Sequence, residues 1–238
     1  MKTKVKRKIG PASLTVVGLT LSGSISAKTM EDFHTWGDVQ VTGSLGAISP
    51  ALKNVKFLLE GIGRFGNDSS RLSKGMLRTG LGYALNDDMS VWLGYAWFTY
   101  DEPFASTPFD EHRIWQDFTW SHKYAFATVS SRSRLEQRFM DTGSEVGWRF
   151  RQRLKVSVPL VFAPDFSLVG SEEYFVNINQ TNYGADDGFD QNRVFAGIGY
   201  NFNTHVRTEA GYMNNYFRKV NRPDRMDHCL AVSLFFNF

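Results

Sequence analysis

The stretch Val146-Gly-Trp-Arg-Phe-Arg-Gln-Arg-Leu-Lys-Val-Ser-Val158 decides the fold. Val146, Trp148, Phe150, Leu154, Val156 and Val158 occupy alternate positions, and Gln152 is the one polar exception in that series. Gly147, Arg149, Arg151, Arg153, Lys155 and Ser157 stand between them. Successive side chains of a strand point to opposite faces, so the segment is a strand with one apolar side and one strongly cationic side. An Arg or Lys facing lipid near a bilayer midplane costs ~2–4 kcal/mol, whereas an ion-paired or wet interior accepts it. Apolar side out and cationic side in is the arrangement that avoids this cost.

The same alternation closes the chain. His228, Leu230, Val232, Leu234, Phe236 and Phe238 oppose Cys229, Ala231, Ser233, Phe235 and Asn237. It recurs over 191–202 and 76–85, and no heptads or long helical periodicity interrupt it. Candidate strands cover 35–46, 54–65, 74–85, 90–100, 111–121, 125–139, 145–159, 167–179, 191–202, 205–217 and 228–238. Tight connections at Asn86–Asp88, His122–Lys123 and Asn203–Thr204 contrast with longer polar ones at 66–73, 101–110, 180–190 and 218–227. Short turns at one end and longer loops at the other are characteristic of outer-membrane barrels.

A soluble β-sandwich also alternates. Two features weigh against it here: several segments reach the ~9–11 residues that cross a tilted bilayer, and aromatics gather near segment ends. Trp36, Trp97, Tyr100, Trp120, Trp148, Tyr174, Tyr200, Tyr212 and Phe238 would form the girdles at the two membrane–water boundaries. The expected fold is all-β, a transmembrane antiparallel up-and-down β-barrel of 10–12 strands. The eleven segments conflict with the even number usual in single-chain bacterial barrels. Either 35–46 stays outside, giving ten, or a further strand brings the total to twelve.

The 238 residues carry 27 Lys+Arg against 24 Asp+Glu, for a net charge of +3. Residues 1–27 contain Lys2, Lys4, Lys6, Arg7 and Lys8 and no acid, so the remainder has 22 basic and 24 acidic residues. The basic balance belongs to the N-terminal stretch, and a nucleic-acid partner is not expected. A positive start, an apolar run from Ile9 to Leu21 and the small residues Ser24-Ile-Ser-Ala27 read as a signal peptide over 1–27, leaving a barrel domain over 28–238. Cys229 is the only cysteine, which excludes internal disulfides and suits a small buried filler.

Several stretches together resemble the bacterial domain-of-unknown-function 2490 family. They are Glu111-His-Arg-Ile-Trp-Gln116, Ser131-Arg-Ser-Arg-Leu-Glu-Gln-Arg-Phe139, Gly188-Phe-Asp-Gln-Asn-Arg193, Ala196-Gly-Ile-Gly-Tyr-Asn-Phe202 and Glu209-Ala-Gly-Tyr-Met-Asn214. The resemblance spans about residues 33–238 and implies a barrel in the outer membrane of a Gram-negative cell, without transferring catalytic residues. The terminal Phe238 after alternating apolar residues resembles the signature read by the barrel-assembly machinery. That machinery and outer-membrane lipid are the expected partners of a monomer.

With apolar faces outward, the lumen gathers Arg78, Arg113, Arg132, Arg134, Arg138, Arg149, Arg151, Arg153, Lys155, Arg193 and Arg207. The inward acids are Asp117, Glu136, Glu173 and Glu209. This set reads either as a structural ion-pair network or as a narrow, porin-like passage whose guanidinium excess favours anions. The alternative is an outer-membrane hydrolase with a rim site at His112, beside Asp110 and Glu111, or at His228, beside Asp224 and Asp227; no serine motif accompanies either histidine. Gly61-Ile-Gly-Arg-Phe-Gly66 matches a dinucleotide pattern without the helix it needs. Asp186, Asp187 and Asp190 match no calcium-loop spacing, and no Cys/His spacing suggests zinc, so no metal or cofactor is expected.

Overall fold

The computed structural model of the chain describes residues 29–220 and 222–238. The leader expected over 1–27 lies outside the described residues. Eleven strands follow one another: β1 (Met30–Ser44), β2 (Val55–Gly66), β3 (Arg71–Ala84), β4 (Met89–Tyr100), β5 (Phe109–Lys123), β6 (Thr128–Met140), β7 (Gly147–Leu160), β8 (Ala163–Asn177), β9 (Gly188–Asn201), β10 (Val206–Phe217) and β11 (Arg225–Asn237). Each pairs antiparallel with its sequence neighbour, and the sheet closes on itself. The closing seam joins β1 to β11 in parallel, from Met30↔Arg225 to Thr42↔Asn237.

This corrects the expected parity and the purely antiparallel order. The segment at 35–46 is neither excluded nor matched by an overlooked strand, and the barrel has eleven. The physical cause is the sheet edge: an unpaired edge leaves a row of N–H and C=O groups without ladder partners, and closure removes both edges. With an odd count, first and last strands run the same way, so closure requires a parallel seam. Past the ladder, the Ser44 N–H donates to the Phe238 carbonyl and the Phe238 N–H to the Thr42 carbonyl, both at 2.9 Å.

One end carries the connections 67–70, 101–108, 141–146, 178–187 and 218–224, and Met30 lies there too. The other end has the turns 85–88, 124–127, 161–162 and 202–205, and Phe238. The β1–β2 connection is the long exception at that end, with short 3-10 helices at Leu45–Ala47 and Pro50–Leu52. The strand–turn–strand at 111–139 turns at 124–127 rather than at His122–Lys123, because β5 continues to Lys123.

The outer wall is an apolar belt. Leu77, Leu81 and Leu93 are each about 60% exposed, at 59%, 61% and 58%. Trp148 and Phe150 are exposed at 41% and 39%, so no second protein layer covers them and a sandwich is excluded. Gln152, the polar exception on that face, is satisfied locally: its Oε1 accepts from Ser133 at 2.6 Å and its Nε2 donates to Ser131 at 2.8 Å. On the neighbouring strand pair Gln116 and Gln137 exchange amide hydrogen bonds, both at 3.0 Å. Paired amides lower the cost of a polar group on an apolar surface.

Two expected girdle aromatics face inward instead. Trp36 has the parity of His34 and Asp38, and the Arg64 guanidinium lies 3.4 Å above its ring. Tyr100 has the parity of Ala96 and Phe98; its hydroxyl donates to Glu111 and accepts from Lys74 at 2.7 Å. Position near a strand end does not choose the face; parity does. The buried Trp115 lies flat on the inner wall because Gly80 and Gly94 make room: a Cβ at Gly80 would meet its ring at 2.6 Å, and one at Gly94 would overlap it.

Candidate functional site in the lumen

Inward positions of β5, β6 and β7 set arginine opposite arginine three times: Arg113↔Arg138, Arg134↔Arg151 and Arg132↔Arg153. Like charges directly across a ladder repel, and a desolvated charge without a partner costs several kcal/mol. Carboxylates therefore have to lie between them. Glu111 binds Arg113 through Nε and Nη2, both at 2.7 Å, and Arg138 through Nε at 2.5 Å. Glu136 receives Arg149 Nη2 at 2.7 Å and Arg151 Nη1 at 2.6 Å, with Arg113 Nη1 at 3.4 Å. Asp117 holds Arg134 bidentately at 2.6 and 2.7 Å. Glu173 takes Arg132 and Arg151 at 2.7 Å and Arg193 at 3.3 Å.

Towards the turn end, Glu209 receives Lys155 at 2.7 Å and Arg207 at 3.0 Å. Glu60 receives Arg78 at 2.6 Å on the β2–β3 wall. Aromatic faces cover some of the same cations: Arg134 lies 4.4 Å above Trp115, and Arg151 and Arg193 lie 4.5 and 4.9 Å from Phe175. Arg153 has no acid partner among the described residues.

A cavity of about 710 Å³ runs between these walls. Its lining reaches from Phe104 and Lys219 at the long-loop end to Thr128, Ser157 and Asn237 at the turn end. Thirteen Lys and Arg side chains line it against five Asp and Glu. The 101–108 loop folds over the long-loop mouth, where Phe104 packs 5.2 Å from His34 and Arg225 lies 4.8 Å above the Phe104 ring.

Sequence reasoning passed over several inward-facing carboxylates, Glu111, Glu60, Asp38 and Asp190 among them. Glu111 was read with His112 at the rim, yet it shares parity with Arg113 and Asp117 and is fully buried. Glu60 shares parity with Arg64 on β2, a signal that was available. The histidines are a correction in the other direction. His112 and His228 point outward, each paired with a tyrosine: Tyr95 O–His112 Nδ1 at 2.5 Å and Tyr212 O–His228 Nδ1 at 2.6 Å. Their sequence neighbours leave them: Glu111 and Asp227 turn inward, Asp110 accepts from Trp97 at 3.0 Å, and Asp224 accepts from Tyr216. His228 keeps a carboxylate near its other ring nitrogen, Glu31 at 3.9 Å from Nε2, while His112 has none within 4.0 Å among the described residues.

Two acids outside the strands, Asp101 and Asp224, are held charged by the loops. At Asp101 the Glu102 backbone N–H, then Arg71, keep the carboxyl below its ordinary value; at Asp224 the Tyr216 hydroxyl and the Lys219 N–H do so. Asp190 lies in the lumen wall on Arg149 at 3.0 Å and Asp187 accepts from Gln180 at 2.7 Å. Among the described residues no His, Cys, Asp or Glu group is placed to hold a metal. Gly61–Gly66 lies within β2, and Cys229 is buried against Trp36 and Met213.

A family model described as "Protein of unknown function (DUF2490)" matches residues 33–227. An uncharacterized protein of Methylorubrum extorquens is 32% identical over 217 residues, covering 90% of this chain and 91% of its own. The solved structure described as outer-membrane expressed OmpT of Vibrio cholerae aligns with a TM-score of 0.39 at 14% identity. That alignment covers 68% of this chain and 55% of the other, a likeness too loose to bear on function.

Proposed function

The chain belongs to the DUF2490 family, and on that footing we propose that it is an outer-membrane barrel forming a narrow, anion-biased conduit. One observation carries the reading: a cavity lined from end to end with thirteen cationic and five anionic side chains. Excess fixed positive charge in a low-dielectric tube raises the local anion concentration and opposes cations. The carboxylates serve the wall: Glu111, Glu136 and Glu173 each bind two or more arginines and fix their rotamers, and the surplus of positive charge serves the solute.

Placement in a membrane is supported by the exposed apolar belt, which is far larger than a soluble surface tolerates. Acyl chains are the natural cover for it. The leader expected over 1–27 would serve export, and Phe238, one residue past β11 with an exposed ring, would be the contact for the assembly machinery. A closed sheet with no free edge fits a monomer.

Purified protein reconstituted in planar bilayers tests the function. Discrete current steps with a reversal potential favouring chloride over potassium are expected under a salt gradient. Silence over many verified insertions, or cation preference, overturns the conduit.

A further inference from the structure

Two of the three cross-strand arginine pairs are bridged by carboxylates of the chain itself. Glu111 joins Arg113 to Arg138, while Asp117 and Glu136 flank Arg134 and Arg151. The third pair, Arg132↔Arg153, is not bridged. Glu173 stands directly across the ladder from Arg153 and is the one acid that ion-pairs with Arg132 among the described residues. Both Glu173 oxygens are already engaged by Arg132, Arg151 and Arg193. Arg132 gives Glu173 one Nη2 hydrogen bond and keeps a buried Nε–H with no acceptor. Arg153 makes no side-chain hydrogen bond or ion pair among the described residues, and both arginines line the cavity.

We infer that the Arg132–Arg153 pair is a binding site for one oxyanion group, the carboxylate or phosphate of a small solute, which stands where a bridging glutamate stands in the other pairs. A guanidinium presents a planar fork of N–H donors that matches two oxygens of such a group. Ser130 and Ser171 line the cavity one inward step towards the turn end and supply hydroxyl donors. Asp38 and Glu60 line the facing wall, which confines the attraction and favours one oxyanion group over a polyanion. The site rests on the reading of the lumen as solute-accessible and makes the conduit selective among anions: an oxyanion lingers where chloride passes.

The whole chain, refolded in detergent and in planar bilayers, provides the test, with inorganic phosphate as the probe and chloride at matched ionic strength as the reference. Phosphate is expected to raise the thermal unfolding temperature saturably and to reduce the unitary chloride current saturably. Arg153→Gln is expected to weaken both effects by about tenfold or more, because charge-assisted hydrogen bonds to an anion are lost. Arg153→Lys, which keeps the charge without the fork, is expected to fall between. The heat-modifiable gel band verifies folding of each variant. Equal phosphate effects in wild type and folded Arg153→Gln, or none in wild type, overturn the site. If the protein is silent in bilayers yet phosphate stabilises it only when Arg153 is present, the conduit falls and the site stands. If it conducts anions with a phosphate effect indifferent to Arg153, the site falls and the conduit stands.

Discussion

Glu136 carries the heaviest electrostatic duty of any single residue in the wall, standing buried among Arg113, Arg149 and Arg151. Removing one member of a buried ion pair strands the rest, and the cost is about 3–5 kcal/mol. Glu136→Gln preserves shape and hydrogen-bonding capacity but deletes the charge, so a large fall in the urea midpoint, followed by tryptophan fluorescence in vesicles, is expected. A midpoint within error of wild type would show that lumen water, and not Glu136, neutralises the cluster. Gly94 is a steric counterpart. Trp115 occupies the space a side chain there would need, and Gly94→Val forces the indole off the wall at a cost of about 1–3 kcal/mol. The same measurement reads it, and Gly170→Ala, whose Cβ would meet only an ordinary 4.0 Å contact, is the matched neutral change.

At the level of the strand, β1 is the element whose role alternation could not settle. It pairs with β11 from Met30 to Thr42 on one edge and with β2 from Thr35 to Ser44 on the other. A chain lacking residues 30–44 would expose the edges of β2 and β11, and in the proposed membrane setting no water would satisfy them. Such a truncation is expected to lose the compact heat-modifiable form on refolding into vesicles. Recovery of a stable ten-strand barrel with the same mobility shift would mean that the parallel seam is dispensable. The strands themselves were legible because one face is lipid-like and the other charged, so a period of two persists over 12–15 residues. Trp36 and Tyr100 lie near strand ends, as girdle residues do, and Glu111 lies beside a histidine, yet all three face inward. In each case the parity of the strand already held the answer.

For the molecule as a whole, an odd number of strands puts the two ends of the barrel sequence on opposite sides. Met30 lies with the long loops and Phe238 with the short turns. With the long loops outside the cell, a peptide tag placed just before Met30 is expected to be labelled by antibody on intact cells, and one inserted in the 202–205 turn only after permeabilisation. Labelling of both tags on the same side would contradict the parallel closure.

Alternation of apolar and charged residues determined the class of fold, the location of the strands and the gathering of arginine inside, because strand parity and the cost of a charge in lipid are local constraints that every segment obeys on its own. Which strand meets which at the seam, and which arginine shares which carboxylate, was decided only by closure. Those pairings join residues as distant as Met30 and Arg225, or Arg132 and Glu173. They depend on the stagger of eleven strands around a ring, a property of the whole cylinder that no single segment carries.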